Sequence, residues 1–173
     1  MQTPVRTNIG AMLTVVVVFS LLSVYFVIAL SAQDLLWFWG GFIDKPSRII
    51  IYHEGKRTEL KPGEAGFDSL AEAVRMSLDS GVARQSGVGM SDESLQEAYQ
   101  TYLTVEIFFD RSVKIHAWFN TGRPTQMLFP ITGRHSELSV VFLGGTLAGY
   151  MSNAPVLNTV QPIKESLKSL GFY

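Results

Sequence analysis

At 173 residues the chain has room for one domain and little more. It holds no cysteine, which removes disulfides, zinc thiolates and thiol nucleophiles. Its 14 basic residues nearly match its 15 acidic ones, which leaves no electrostatic footprint for nucleic acid. Hydrophobic residues make up 47% of the chain and mean hydropathy is +0.20, an excess concentrated ahead of Asp44.

The first element explains that excess. From Thr7 to Gln33 there is no charged side chain, and the centre is solid Val, Leu, Ile and Phe. An apolar run longer than about 18 residues reads as a transmembrane helix. The pattern predicts a short cytoplasmic head over 1–8 and an anchor over 9–33. A helix from Ile9 to Leu30 rises about 33 Å, enough for a hydrocarbon core of about 30 Å. Arg6 at the amino end, against Asp34 at the far end, places the amino terminus in the cytoplasm and the remainder outside it. The rival reading is a cleavable signal peptide with Ala29-Leu30-Ser31 as its small-residue site. The run is longer than the usual ~7–15-residue apolar core of such peptides, which favours an uncleaved anchor. The helix has neither G-x-x-x-G nor an internal charge, so it offers no strong dimer face or ion path.

Residues 34–45 form an aromatic segment and linker. Trp37, Phe38, Trp39 and Phe42 suit the headgroup level of a bilayer, where a ring has one dry and one wet side. Gly40-Gly41 supplies a hinge.

From Pro46 to Tyr173 the pattern is that of a small domain. Arg48–Tyr52 and Arg57–Leu60 read as a hairpin around Glu54-Gly55-Lys56. A helix follows, with Ser69 and Glu72 in the form of a capping box and Phe67, Leu70, Val74 and Leu78 as its buried stripe. Gly81 ends it. Arg84–Met90 reads as a flexible loop, and Ser91 caps a second helix through about Gln100. Tyr102–Asn120 alternates strongly and reads as a hairpin. A three-residue turn at Asp110-Arg111-Ser112 pairs Phe109 with Val113 and Ile107 with Ile115, so that Glu106 faces His116 and Phe108 faces Lys114. Thr125–Ile131 reads as a strand that Pro130 confines to an edge or an end. Glu137–Leu143 reads as another strand stopped by Gly144-Gly145, and Thr146–Met151 as a last short one. The final helix starts near Asn158 with Gln161 at the capping-box position, buries Val160, Ile163, Leu167 and Leu170, and ends at Gly171. The order predicts an α+β domain over 46–173 with a mainly antiparallel sheet and about three helices.

Chemistry-bearing patterns are sparse. His53, His116 and His135 lie in separate segments without H-E-x-x-H spacing, so no metal or other cofactor is expected. There is no G-x-S-x-G elbow and no S-x-x-K, so catalysis is not expected either. Thr121-Gly122-Arg123 and Thr132-Gly133-Arg134 bracket one strand, where the two arginines could hold a carboxylate or phosphate, although the same tripeptide is ordinary turn chemistry. The mixed aromatic and polar face of Tyr102, Glu106, Phe108, Lys114, His116 and Trp118, with Arg123 and Arg134, is the stronger candidate for a ligand or partner face.

These observations together predict a single-pass membrane protein with an extracytoplasmic domain. Its expected partners are the lipid bilayer and a membrane or envelope protein. The expected role is a non-enzymatic accessory, assembly or binding subunit of an envelope complex. The alternatives are a tethered receptor for a small anionic ligand and a tethered hydrolase.

Overall fold

The computed structural model describes residues 8–145 and 149–173. Arg6 with the rest of the head, and residues 146–148 of the expected last strand, lie outside the described residues.

The apolar stretch forms one helix, α1 (Ile9–Ala32), capped by the Asn8 side chain, which accepts from the Ala11 amide. It is long and apolar enough to cross a membrane, and its side chains are nearly all exposed. Thr14 and Ser23 donate their hydroxyls to the carbonyls of Gly10 and Phe19 one turn back, so neither presents an open polar group on the helix surface. Gln33 ends the helix in the left-handed region, with φ of 52°.

The remainder is α+β. Its elements are β1 (Arg48–His53), β2 (Lys56–Leu60), α2 (Phe67–Asp79), β3 (Val82–Gln85), α3 (Asp92–Gln100), β4 (Thr104–Phe108), β5 (Gln126–Pro130), β6 (Phe142–Gly145), β7 (Gly149–Tyr150), β8 (Pro155–Leu157) and α4 (Gln161–Ser169). A six-stranded antiparallel sheet runs β2-β1-β4-β5-β6-β7, and β3 pairs with β8 in a second small sheet. Alternation along each strand sends side chains to opposite faces. One face carries Ile49, Ile51, Val105, Ile107, Met127 and Phe129, which pack with Phe67, Leu70, Val74 and Leu78 of α2 and with Ile163 and Leu167 of α4. The other carries Leu128 and Phe142, which pack with Val140, Ala154 and Val156 and with Leu95 and Tyr99 of α3.

The first hairpin, the α2 stripe, the Ser91 cap and, of the last stripe, Val160, Ile163 and Leu167 stand as the sequence predicts, whereas Leu170 is only half-buried. Gly81, at φ 89°, supplies the left-handed turn after α2. Several expectations are corrected. Ser69 does not cap α2, because the helix begins two residues earlier: its hydroxyl turns back to the Gly66 carbonyl, and Glu72 pairs with Arg75. Asn158 does not cap α4. The helix begins at Gln161, whose amide is met by the Thr159 hydroxyl. Part of the expected flexible loop is β3, recruited by β8 from far along the chain. Residues 136–138 are a 3-10 turn flanked by left-handed His135 and Ser139, which delays β6 until Phe142. Gly144 and Gly145 then lie inside β6. A Cβ on Gly144 would meet the Gln126 side chain at 2.6 Å, so the missing side chain makes room for a cross-strand neighbour. Pro130 ends β5, past the residues that pair with β6.

The largest correction concerns the expected hairpin over Tyr102–Asn120. Its first arm is β4, but β4 lies inside the sheet, with β1 on one side and β5 on the other. Ile107 therefore faces Ile49 and Met127, not Ile115. The expected second arm is an extended excursion with no ladder of its own. It is held by the Val113 amide on the Pro124 carbonyl and by the Thr121 hydroxyl on the Ile115 carbonyl. Val113, Ile115, Ala117 and Phe119 are buried as their alternation implies, so the period reported burial correctly and strand partnership wrongly.

Candidate functional site

Two polar centres arise from this architecture. The first is Glu106. It sits mid-strand on β4, opposite Ile50 and Leu128, and is 4% exposed. A carboxylate taken out of water needs compensation, and here three phenols provide it. Tyr52 of β1 donates to Oε2 at 3.2 Å, Tyr99 of α3 donates to Oε1 at 2.9 Å, and Tyr150 of β7 donates to Oε1 as well. The Tyr52 and Tyr99 rings lie 4.2 Å apart, and Tyr150 is edge-on to Phe142 at 6.5 Å. Burial, reinforced by the negative charge of Glu106, raises the hydroxyls of Tyr52, Tyr99 and Tyr150 above the usual phenol value, those of Tyr99 and Tyr150 by a large margin. All three remain proton donors across the physiological range. The cluster ties three strands and a helix together through one acceptor.

The second centre joins α1 to the domain. Asp34, two residues past the helix, accepts from His116 Nδ1 at 2.8 Å in the tautomer that carries a proton on that nitrogen. Further along, Asp44 pairs with Arg111 at 3.0 Å, and the Phe42 amide donates to Asp79 of α2. Phe42 is buried edge-on to Phe109 at 5.8 Å, which corrects its expected place at a membrane interface: the domain core takes it first. Trp37, Phe38 and Trp39 stay outside that core. Phe38 folds back on Tyr25 with ring centroids 6.2 Å apart, and the Tyr25 hydroxyl donates to the Leu35 carbonyl. The connection between helix and domain is therefore pinned at several points along its length.

The expected aromatic-polar face is divided among four places. Glu106 faces the tyrosines and His116 faces Asp34, so the expected Glu106–His116 pair does not form. Phe108 lies under the Arg48 guanidinium at 4.0 Å, not against Lys114. Tyr102 donates to Glu97 at 2.9 Å, and Arg134 approaches the same carboxylate at 3.7 Å. That hydrogen bond raises the Tyr102 hydroxyl above its ordinary value. Lys114, His116, Trp118 and Arg123 all lie on the excursion between β4 and β5. Arg123 precedes β5 and Arg134 follows it, so the two arginines stand at opposite ends of one strand. His53 faces Phe172 and His135 faces Phe142, each edge-on. Burial and the neighbouring Arg134 hold His135 below the usual imidazole range. Among the described residues, no three histidine or carboxylate side chains are placed to hold a metal.

Sequence reasoning missed Asp34 and the three tyrosines. Tyr99 carried a local signal, since it falls four residues after Leu95 on the inward side of α3. Tyr52 and Tyr150 carried none, because only the assembled sheet brings them to Glu106. The chain matches no protein-family model, no curated protein and no solved structure.

Proposed function

We propose that this chain is a single-pass membrane protein whose extracytoplasmic α+β domain serves as a non-enzymatic accessory, assembly or binding subunit of an envelope complex. The observation that carries this reading is the pinned connection. A tethered enzyme or ligand receptor works well on a loose leash, because its substrate diffuses to it. A subunit that must present one face to a membrane-bound neighbour gains from fixed geometry, since each ordered contact lowers the entropy lost on association. Asp34 on His116, Asp44 on Arg111 and Phe42 in the core supply that order.

The contacts of Tyr25 with Leu35 and Phe38 support a retained helix, because cleavage near Ser31 would separate the partners. Intact-mass measurement on the mature protein tests this directly: loss of the first ~30 residues, the length of a typical signal peptide, would overturn the anchor. The role is tested by extraction in mild detergent, followed by sizing and identification of co-purifying chains. Reproducible co-migration with a larger assembly is the expected result. A lone monomer or homodimer under every extraction condition would overturn the subunit reading. Protease protection in intact cells tests the orientation, with the domain expected to be accessible from outside.

A further inference from the structure

We propose that the excursion between β4 and β5 is a second lipid contact, with the Trp118 indole resting in the headgroup layer beside the end of α1. The inference rests on the reading of α1 as a membrane anchor. Its first support is position. His116 is hydrogen-bonded to Asp34, two residues past the helix, and Trp118 lies two residues past His116. Two extended residues span at most about 7 Å, so the Trp118 backbone lies close to the residue that is tied to the end of α1.

The second support is presentation. Ala117 and Phe119 are buried on either side, yet Trp118 is 51% exposed and stands edge-on to Phe119 at 5.2 Å. A large amphipathic ring is thus held outward by a buried frame, the arrangement that suits an interface with one dry side and one wet side. Trp39 at 61% and Ile43 at 87% expose apolar surface on the connection that the same hydrogen bond ties down.

The third support is charge. From Arg111 to Arg123 the chain has Arg111, Lys114 and Arg123 and no acidic residue. The acids that face the excursion are Asp34, whose side chain is 8% exposed and turned to His116, Asp44, which is turned to Arg111, and the exposed Asp110 at its start. Long basic side chains beside an interfacial tryptophan can lie along the surface with their charges among lipid phosphates. An irregular connection this long also exceeds the ~12–15 residues above which such segments usually serve a function.

The test uses the full chain in phosphatidylcholine–phosphatidylglycerol vesicles. The chain has three tryptophans, so W37F/W39F leaves Trp118 alone and W37F/W118F leaves Trp39 as a reference. The expected result is blue-shifted Trp118 emission that brominated acyl chains largely extinguish and aqueous acrylamide barely touches. Adding Asp34→Asn should restore acrylamide quenching of Trp118 while leaving Trp39 as it was. If acrylamide quenches Trp118 and brominated lipid does not, while Trp39 is quenched by lipid, the anchor reading stands and this inference falls. If Trp118 is shielded from both quenchers, a protein contact covers it and the inference also falls. If neither variant floats with the vesicles, the anchor reading has failed and takes this inference with it.

Discussion

The two faces of the six-stranded sheet are built from the same strands by opposite means. Toward α2 and α4, β4 presents Val105 and Ile107 to an apolar interior in which shape is the main constraint. Toward α3 it presents Thr104 and Glu106, with a charge at the centre whose tolerance depends on three hydroxyls delivered from distant elements. A hydrocarbon face degrades gradually, because neighbours relax into a gap. A hydrogen-bonded centre fails more abruptly, because each partner removed leaves another unsatisfied.

The largest expected effect follows from that difference. Glu106→Ala strands three buried or half-buried phenols and opens a gap, and should lose about 5 kcal/mol of stability. Leu70→Ala on the hydrocarbon face should lose about 3 kcal/mol. Guanidinium unfolding of the detergent-solubilised chain measures both. If Leu70→Ala proves the more damaging, the tyrosine cluster does not organise its face.

Next in size is the alkaline limit. Tyr52, Tyr99 and Tyr150 have hydroxyl pKa values raised in the folded state, so their contribution is complete below the unfolded value of about 10 and is lost as pH climbs toward the folded values. Spectrophotometric titration of phenolate should show these three silent at a pH where an ordinary phenol is half ionised. They should then appear together as the domain unfolds. Early, separate titration of Tyr150 would mean that its bond to Glu106 is weak.

Gly133→Ala tests the rim of the polar side. Gly133 has φ of 75°, and an added Cβ would meet the Tyr102 ring at 2.3 Å. Loss of about 2 kcal/mol is expected, together with disruption of the Tyr102–Glu97 bond; an unchanged melting temperature would show that the ring moves aside freely. The smallest effect is expected from Ser91→Ala, about 1 kcal/mol through loss of the α3 cap. Hydrogen exchange should register it on α3 and leave α2 alone. Protection lost equally on both helices would mean that the two faces are less independent than they look.

Legibility in the sequence followed the range of the interaction. The α2 stripe, the α4 stripe apart from Leu170, the Ser91 cap, the first hairpin and the left-handed Gly81 are set within a few residues, and could be read. The excursion from Phe109 to Thr125 could be read only in part. Its alternation reports which side chains are buried, but the identity of a strand's neighbour depends on competition from segments far away. Here β1 and β5 take both edges of β4. Phe42 misled for a related reason: an aromatic near an apolar helix suits a lipid interface until a core position is available nearby, as it is beside Phe109. The face expected around Glu106 and His116 depended on that pairing and dissolved with it.

The pairing of Val82 with Leu157, and the seating of Ile163 and Leu167 against α2, also set a timetable for synthesis. The apolar helix leaves the ribosome ahead of α2, whereas the helix that completes the main core follows only after β3 to β8. At translation rates of about 5–20 residues per second, α2 waits roughly 5–20 seconds for α4. Through that interval Leu70 and Val74 have no finished core to enter, and the nascent chain carries a second sticky surface besides α1. A translational pause placed just ahead of α4 should therefore raise aggregation more than one placed just after α1.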